Sequence, residues 1–264
     1  MPLWLYEISR LYSAVIIVAS IETVSLIGLF LARRFLLPRF HYSEGINDAI
    51  SGTVQAIGVF YGITVGLIAV GVWNTNSNAS DLVSREAASI GFLYQDVGGY
   101  PSPLREDLRA KLRAYTVFTI EQAWPAQSKG QILDGGTNIL ETFQAALFTF
   151  QPANASQIAL HQETLRAYNS LVEYRRLRVD AVSSGLSRVM WSVIWVGAII
   201  SIGVAYLFKI EDPKMHAILV SLMSGFLAMV LFMIVINDKP FYGVVTIKPD
   251  AYELIIRKVM MVSN

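Results

Sequence analysis

Long apolar stretches dominate the hydropathy pattern, at Leu11–Leu31, Ile50–Val72, Val189–Phe208 and Ala217–Ile236. Each holds about 20 residues, which at about 1.5 Å per residue spans a hydrocarbon layer of about 30 Å. Backbone polar groups find no partners in lipid, so only helices or closed barrels cross it. These runs are continuous rather than alternating with a period of two, which selects helices over a barrel. The pattern predicts an all-α membrane protein with four transmembrane helices, two before and two after a long polar insertion. It divides the chain into 1–73, 74–185, 186–237 and 238–264, as parts of one integrated domain.

The connections Arg33–Ala49 and Lys209–His216 are short, so both are expected on one side of the membrane, with the insertion and the termini on the other. Near the helix ends the short-loop side carries five basic residues, Arg33, Arg34, Arg39, Lys209 and Lys214. The other side carries eight, namely Arg10, Arg85, Arg175, Arg176, Arg178, Arg188, Lys239 and Lys248. The positive-inside rule then places the insertion and termini in the cytoplasm of an inner (plasma) membrane protein.

Within the insertion, a helix is predicted over Asn78–Val97, with Leu82, Ile90, Leu93, Tyr94 and Val97 as its apolar stripe and Gly98-Gly99 as its end. Ser102 is the expected N-cap of the next helix, with Pro103 at its first position. That helix runs through Leu104, Leu108, Leu112, Tyr115 and Thr119, and Pro125 is expected to stop it. A loop is predicted over Ala126–Gly136, then a helix from Thr137 to Phe148. A last helix from Ser156 carries Leu160, Leu165, Tyr168, Leu171 and Val172. A run-on into the third span stays open, with Gly185 as a kink.

Composition changes the picture in a few respects. The chain has 264 residues, 54% hydrophobic and 16% charged, with a net charge of +1 and a mean hydropathy of +0.47. That balance points away from a nucleic-acid partner. Cysteine is absent, which removes disulfides and thiolate chemistry. No secretory cleavage signal is evident after the first run, so it is read as a retained helix. His41, His161 and His216 lie on different elements with no metal-ligand spacing, and no phosphate loop, nucleophile elbow or catalytic carboxylate pair occurs. No enzymatic activity and no cofactor are expected.

The second span is the most informative. Gly58, Gly62 and Gly66 share an arc of about 80° with Ser51, Gln55 and Ala69 at 3.6 residues per turn. Small residues let helices approach closely. The face therefore packs either against a helix of the same subunit or around a symmetry axis shared by several copies. In the second case Gln55, Val59 and Ile63 border a narrow, mostly apolar pore, a construction that gates by dewetting. Glu22 lies mid-span, where an ionisable group is costly; it is read as a structural buried acid or as a proton or cation site. Arg175, Arg176, Arg178 and Arg188 form a basic patch beside the membrane, suited to anionic headgroups and ion pairs with Glu173 and Asp180, or to a vestibule that enriches anions. Asp238, one residue past the fourth run, is expected to hold the exit turn against an arginine of that patch.

Other pieces carry a resemblance: Glu86 in Ser84-Arg85-Glu86-Ala87; Tyr115 with Glu121 and Trp124; Tyr174-Arg175-Arg176-Leu177-Arg178; and Asp238-Lys239-Pro240-Phe241-Tyr242-Gly243, followed by Val244–Pro249 and a short terminal helix. Together these resemble the bacterial bestrophin-like domain family over nearly the whole chain. The order of elements is also similar to the bestrophin ion channels, pentamers whose pore is lined by the second transmembrane helix. Those conduct anions in animals, and a bacterial member conducts cations. The chain departs from the family in having Leu186-Ser187 where members often carry a proline, and the acidic cluster that binds calcium in animal bestrophins has no counterpart here. The resemblance implies a homo-oligomeric channel, a pentamer by analogy, in a lipid bilayer and passing small inorganic ions. The alternative is a non-conducting membrane scaffold whose cytoplasmic helices bind a partner.

Overall fold

The computed structural model describes residues 8–40, 45–243 and 247–261. Those residues are helical wherever they are regular. In chain order the helices are α1 (Arg10–Leu31), α2 (Ile46–Asp96), α3 (Leu104–Phe118), α4 (Trp124–Gln127), α5 (Gly135–Leu147), α6 (Ala155–Val182), α7 (Arg188–Ala205), α8 (Pro213–Asp238) and α9 (Asp250–Ile255). Among the described residues, α1, α2, α7 and α8 are the four helices long and apolar enough to cross a membrane. The chain forms two compact units, one from Met1–Asn74 with Gly185–Asp238, the other from Thr75–Ser184 with Lys239–Asn264.

The second apolar run and the helix expected over Asn78–Val97 are a single helix of 51 residues. Asn74, Asn76, Ser77 and Asn78 are poor helix formers, but each costs only a few tenths of a kcal/mol. Burial of Ala79, Val83, Ala87 and Ile90 outweighs that cost.

In the first unit, α1 packs along α8, while α7 packs against α8 and receives Tyr61 from α2. One core joins Tyr61, Val65, Ala69 and Val72 to Ile194, Ala198, Leu231 and Ile234. Tyr61 lies flat on α7, where a Cβ added to Gly197 would come within 2.3 Å of its ring. Its hydroxyl donates to the Ile194 carbonyl at 2.9 Å, which pins the ring there. A smaller cluster of Leu29, Ala205 and Val220 lies toward the short connections. At that end Asn47 binds the backbone of Lys209 twice: its Nδ2 donates to the carbonyl at 3.1 Å and its Oδ1 accepts the N–H at 2.9 Å.

In the second unit, Ile90, Leu93, Leu108, Leu112, Phe143, Leu147 and Leu171 form a fully buried core. Several expected boundaries move. Pro103, rather than Ser102, occupies the N-cap position of α3, and no side chain caps it. Pro125 does not end the helical path. A π-helical turn over Thr119–Ala123 shifts the backbone register, and Pro125 then sits in the first turn of α4, where its missing N–H costs nothing. The helix expected from Thr137 starts at Gly135. Asn154 caps α6 by accepting the Gln157 N–H at 2.9 Å. That helix ends at Val182 instead of entering the third span. Ser187 starts a separate helix by accepting the Met190 N–H at 3.2 Å.

Candidate functional site: a buried charge network and an open helix face

The widely separated pieces singled out in the sequence meet inside the second unit. Glu86 on α2 and Arg178 on α6 are 0% and 2% exposed and form an ion pair. Arg178 Nε donates to Glu86 Oε2 at 2.6 Å and Nη2 to Oε1 at 3.3 Å. The Tyr115 hydroxyl donates to Glu86 Oε1 at 2.6 Å, and Arg178 Nη1 donates to Gln127 Oε1 at 2.7 Å. Arg178 Cζ also lies 5.5 Å from the Trp124 ring centre and 6.0 Å from that of Tyr252. The guanidinium is thus held by a carboxylate, an amide and two aromatic faces, which together replace its hydration. Burial works against its charge, but Glu86 outweighs that and holds the guanidinium well above its usual range. Burial, followed by the charge of Glu86, pushes the Tyr115 and Tyr252 hydroxyls up, so both stay neutral.

Arg178 therefore does not belong to a surface basic patch. Arg175 is half-buried and donates to Thr137 Oγ1 at 2.9 Å, whereas Arg176 and Arg188 are exposed. Glu121 is exposed and outside the network. Gln127 and Tyr252 went unnoticed in the sequence, because one falls in an expected loop and the other in a short terminal helix.

The residues after α8 close over Trp124. The Phe241 and Tyr252 rings meet it edge-on at 5.8 and 5.5 Å, and its Nε1 donates to the Ile247 carbonyl at 3.0 Å. Pro240 is buried, and its carbonyl accepts the Ile247 N–H at 3.1 Å. Gly243 takes a φ of 86°, a conformation costly for other residues, and donates its N–H to the Ser128 carbonyl at 3.0 Å. Val244 to Thr246, noted in the sequence as part of this segment, lie outside the described residues, as does His41.

In the first unit, Asp238 is 4% exposed and its Oδ1 accepts the Leu186 N–H at 2.6 Å. That N–H belongs to the backbone leading into α7, so the carboxylate ties the end of α8 to the start of α7. Asp238→Ala would leave that N–H without this acceptor, at a cost of about 1–3 kcal/mol. Asp250→Ala removes only an exposed acid at the start of α9, worth about 0.3–1 kcal/mol. Thermal unfolding of the two variants in detergent should therefore rank Asp238→Ala clearly lower. Equal melting would show that this bond does not hold the turn.

Glu22 is half-buried, with its Oε1 only 2.8 Å from the point where a Cβ on Gly225 would sit, so glycine there makes room for the carboxylate. Gly58, Gly62 and Gly66 are exposed, and a Cβ added to any of them would meet nothing within 4 Å. Packing within the same subunit does not account for this face. Gln55 is exposed and donates to Ser51 Oγ at 3.3 Å, while Val59 and Ile63 are 58% and 59% exposed. The adjoining stripe of the same helix, with Tyr61, Val65, Ala69 and Val72, is the one that packs inside the unit, so Ala69, grouped with the glycines in the sequence, is buried at the edge of their arc.

The sequence pattern of the Bestrophin-like domain family matches residues 19–252. The chain belongs to that family. A crystal structure of a bacterial bestrophin homolog from Klebsiella pneumoniae superposes with a TM-score of 0.69 at 8% identity, covering 95% of this chain and 99% of that one. Another crystal structure, described as that of a membrane protein, gives 0.68 at 9% identity over 94% and 97%. At such low identity these likenesses show a shared bestrophin-like fold. No curated protein matches the sequence. Among the described residues of this bestrophin-like chain, no group of three or more His, Cys, Asp or Glu side chains could hold a metal ion.

Proposed function

We propose that this bestrophin-like chain is one subunit of a homo-oligomeric ion channel, pentameric by analogy with the bestrophin channels. Copies of the Gly58-Gly62-Gly66 face of α2 surround the axis, with Gln55, Val59 and Ile63 along the conducting path. The carrying observation is that face itself: open, small and apolar on the side of α2 that its own unit leaves uncovered. Helices in lipid gain little from apolar contact alone, and small residues that let backbones approach are a means of bringing copies together. Membership of the Bestrophin-like family and the shared fold support passive conduction without covalent chemistry or cofactor. In this reading α1, α2, α7 and α8 cross an inner membrane as two pairs, the helices over 74–185 form a cytoplasmic layer, and small monovalent ions pass.

Flux through liposomes holding the purified protein tests the proposal. The intact chain should pass chloride, sodium or potassium down a gradient. Val59→Ala and Ile63→Ala should raise that flux by widening and wetting an apolar neck. An assembled oligomer that stays silent, together with silent Val59→Ala and Ile63→Ala variants, would favour a non-conducting scaffold.

A further inference from the structure

At the short-loop end of the first unit, Arg33 reaches into the turn between α7 and α8. Its Nη1 donates to the Ile210 carbonyl at 2.9 Å and its Nη2 to the Glu211 carbonyl at 3.2 Å. Nη1 also lies 3.1 Å from Nδ1 of His216, in the first turn of α8. The other ring nitrogen, Nε2, lies 3.1 Å from the Ala205 carbonyl at the end of α7. The imidazole is 1% exposed.

These partners fix the chemistry of the ring. A guanidinium only donates, so Nδ1 must accept; a carbonyl only accepts, so Nε2 must carry the hydrogen. The arrangement needs a neutral imidazole. A second proton would go on Nδ1, where it would point at an Arg33 N–H and set two positive charges side by side. Among the described residues, no other charged side chain bonds to the ring. Lys209, Glu211, Asp212 and Lys214 in the turn, Arg34 and Arg39 after α1, and Asp48 in the first turn of α2 are all exposed. Asp212 is occupied in starting α8, its Oδ1 accepting the Lys214 N–H and its carbonyl the His216 N–H. Asn47, which grips Lys209, is neutral.

We propose that Arg33 and His216 form an acid-released clasp on the α7–α8 turn. Protonation of His216 expels Arg33, which frees the Ile210 and Glu211 carbonyls and loosens the turn, while Asn47 keeps its hold on Lys209. The closed form excludes the proton and the opened form accepts it. The clasp is therefore at full strength above the ordinary histidine value of about 6.5 and weakens progressively as pH falls below it. This inference does not depend on conduction, because the clasp lies within one unit of one chain.

The chain has no cysteine, so a spin label on Glu211→Cys reports on this turn alone. The full-length protein in nanodiscs is compared between about pH 7.5 and about pH 5, on either side of the ordinary histidine value. Acid should abolish the immobilised component of the spectrum, and neutralisation should restore it. In a His216→Gln background the immobilised component should persist at both values, because an amide can also accept from Arg33 and donate to Ala205 but does not titrate. The same acid response in both backgrounds, or none in either, overturns the proposal. Nitrogen NMR of histidine-labelled protein needs no substitution at 216, and His41→Gln and His161→Gln assign the remaining signal. It should show a neutral ring with hydrogen on Nε2 that charges together with label release. A ring already charged at neutral pH, or still neutral after the turn has loosened, overturns it as well.

Discussion

Replacing Glu86 with alanine is expected to destabilise the second unit by about 3–5 kcal/mol, the usual consequence of leaving a buried charge without its partner. Arg178 has no route to water, being 2% exposed, and Trp124 and Tyr252 cover it from the side. Tyr115 would also lose the acceptor of its 2.6 Å hydrogen bond. Removing both charges as Glu86→Ala with Arg178→Met should cost less than the two single changes added together, because the double variant buries no ion. Arg176→Ala, at an exposed site, should stay within about 0.5 kcal/mol of the parent. Denaturant titration in detergent, followed by tryptophan fluorescence, reads all of these. A Glu86→Ala protein that unfolds within about 1 kcal/mol of the parent would mean that the pair does not organise the unit as described.

Gly62→Leu should have the second large effect, and on assembly rather than on the subunit. A Cβ at this position meets nothing within 4 Å among the described residues of its own chain, so the subunit should fold and melt as before. If the face lies against neighbouring copies, each contact is overpacked by about 1–3 kcal/mol, repeated around the ring. Mass photometry in nanodiscs should show smaller particles for Gly62→Leu than for the parent. Unchanged assembly would place the glycine face toward lipid and remove the main support for the proposed pore. Lower subunit stability with intact assembly would contradict the geometry of α2 itself.

The four apolar helices were legible because hydropathy over about 20 residues is a strong signal. The continuity of α2 was not, because Asn74 to Asn78 look like a break and the compensation lies in tertiary burial of Ala79, Val83, Ala87 and Ile90. Pro125 misled in the same way: a π-helical turn absorbs it, and no local pattern announces such a turn. For the site, the family resemblance marked Glu86, Tyr115, Trp124 and Arg178 without saying that they meet. One signal was present and unused. Thr164, Tyr168, Leu171, Arg178 and Val182 recur at helical spacing and are all buried, so Arg178 lies on the inward stripe of α6 while Arg176 does not. An arginine in an apolar stripe calls for a buried partner. The openness of the α2 glycine face, by contrast, could not be read from small residues alone, because the same spacing serves packing within a chain and between chains.

The second unit is discontinuous in the chain: Thr75–Ser184 precede the third and fourth apolar helices, and the residues that complete the unit follow them. During synthesis, Trp124 and Arg178 leave the ribosome well before Phe241 and Tyr252 exist to cover them. The unit therefore cannot finish folding until both later helices have been synthesised. A chain that stops before Phe241 keeps an indole and a guanidinium waiting for rings that never arrive. Folding of the second unit is thereby tied to completion of the chain, and an unfinished copy exposes the apolar and charged groups that the last residues cover.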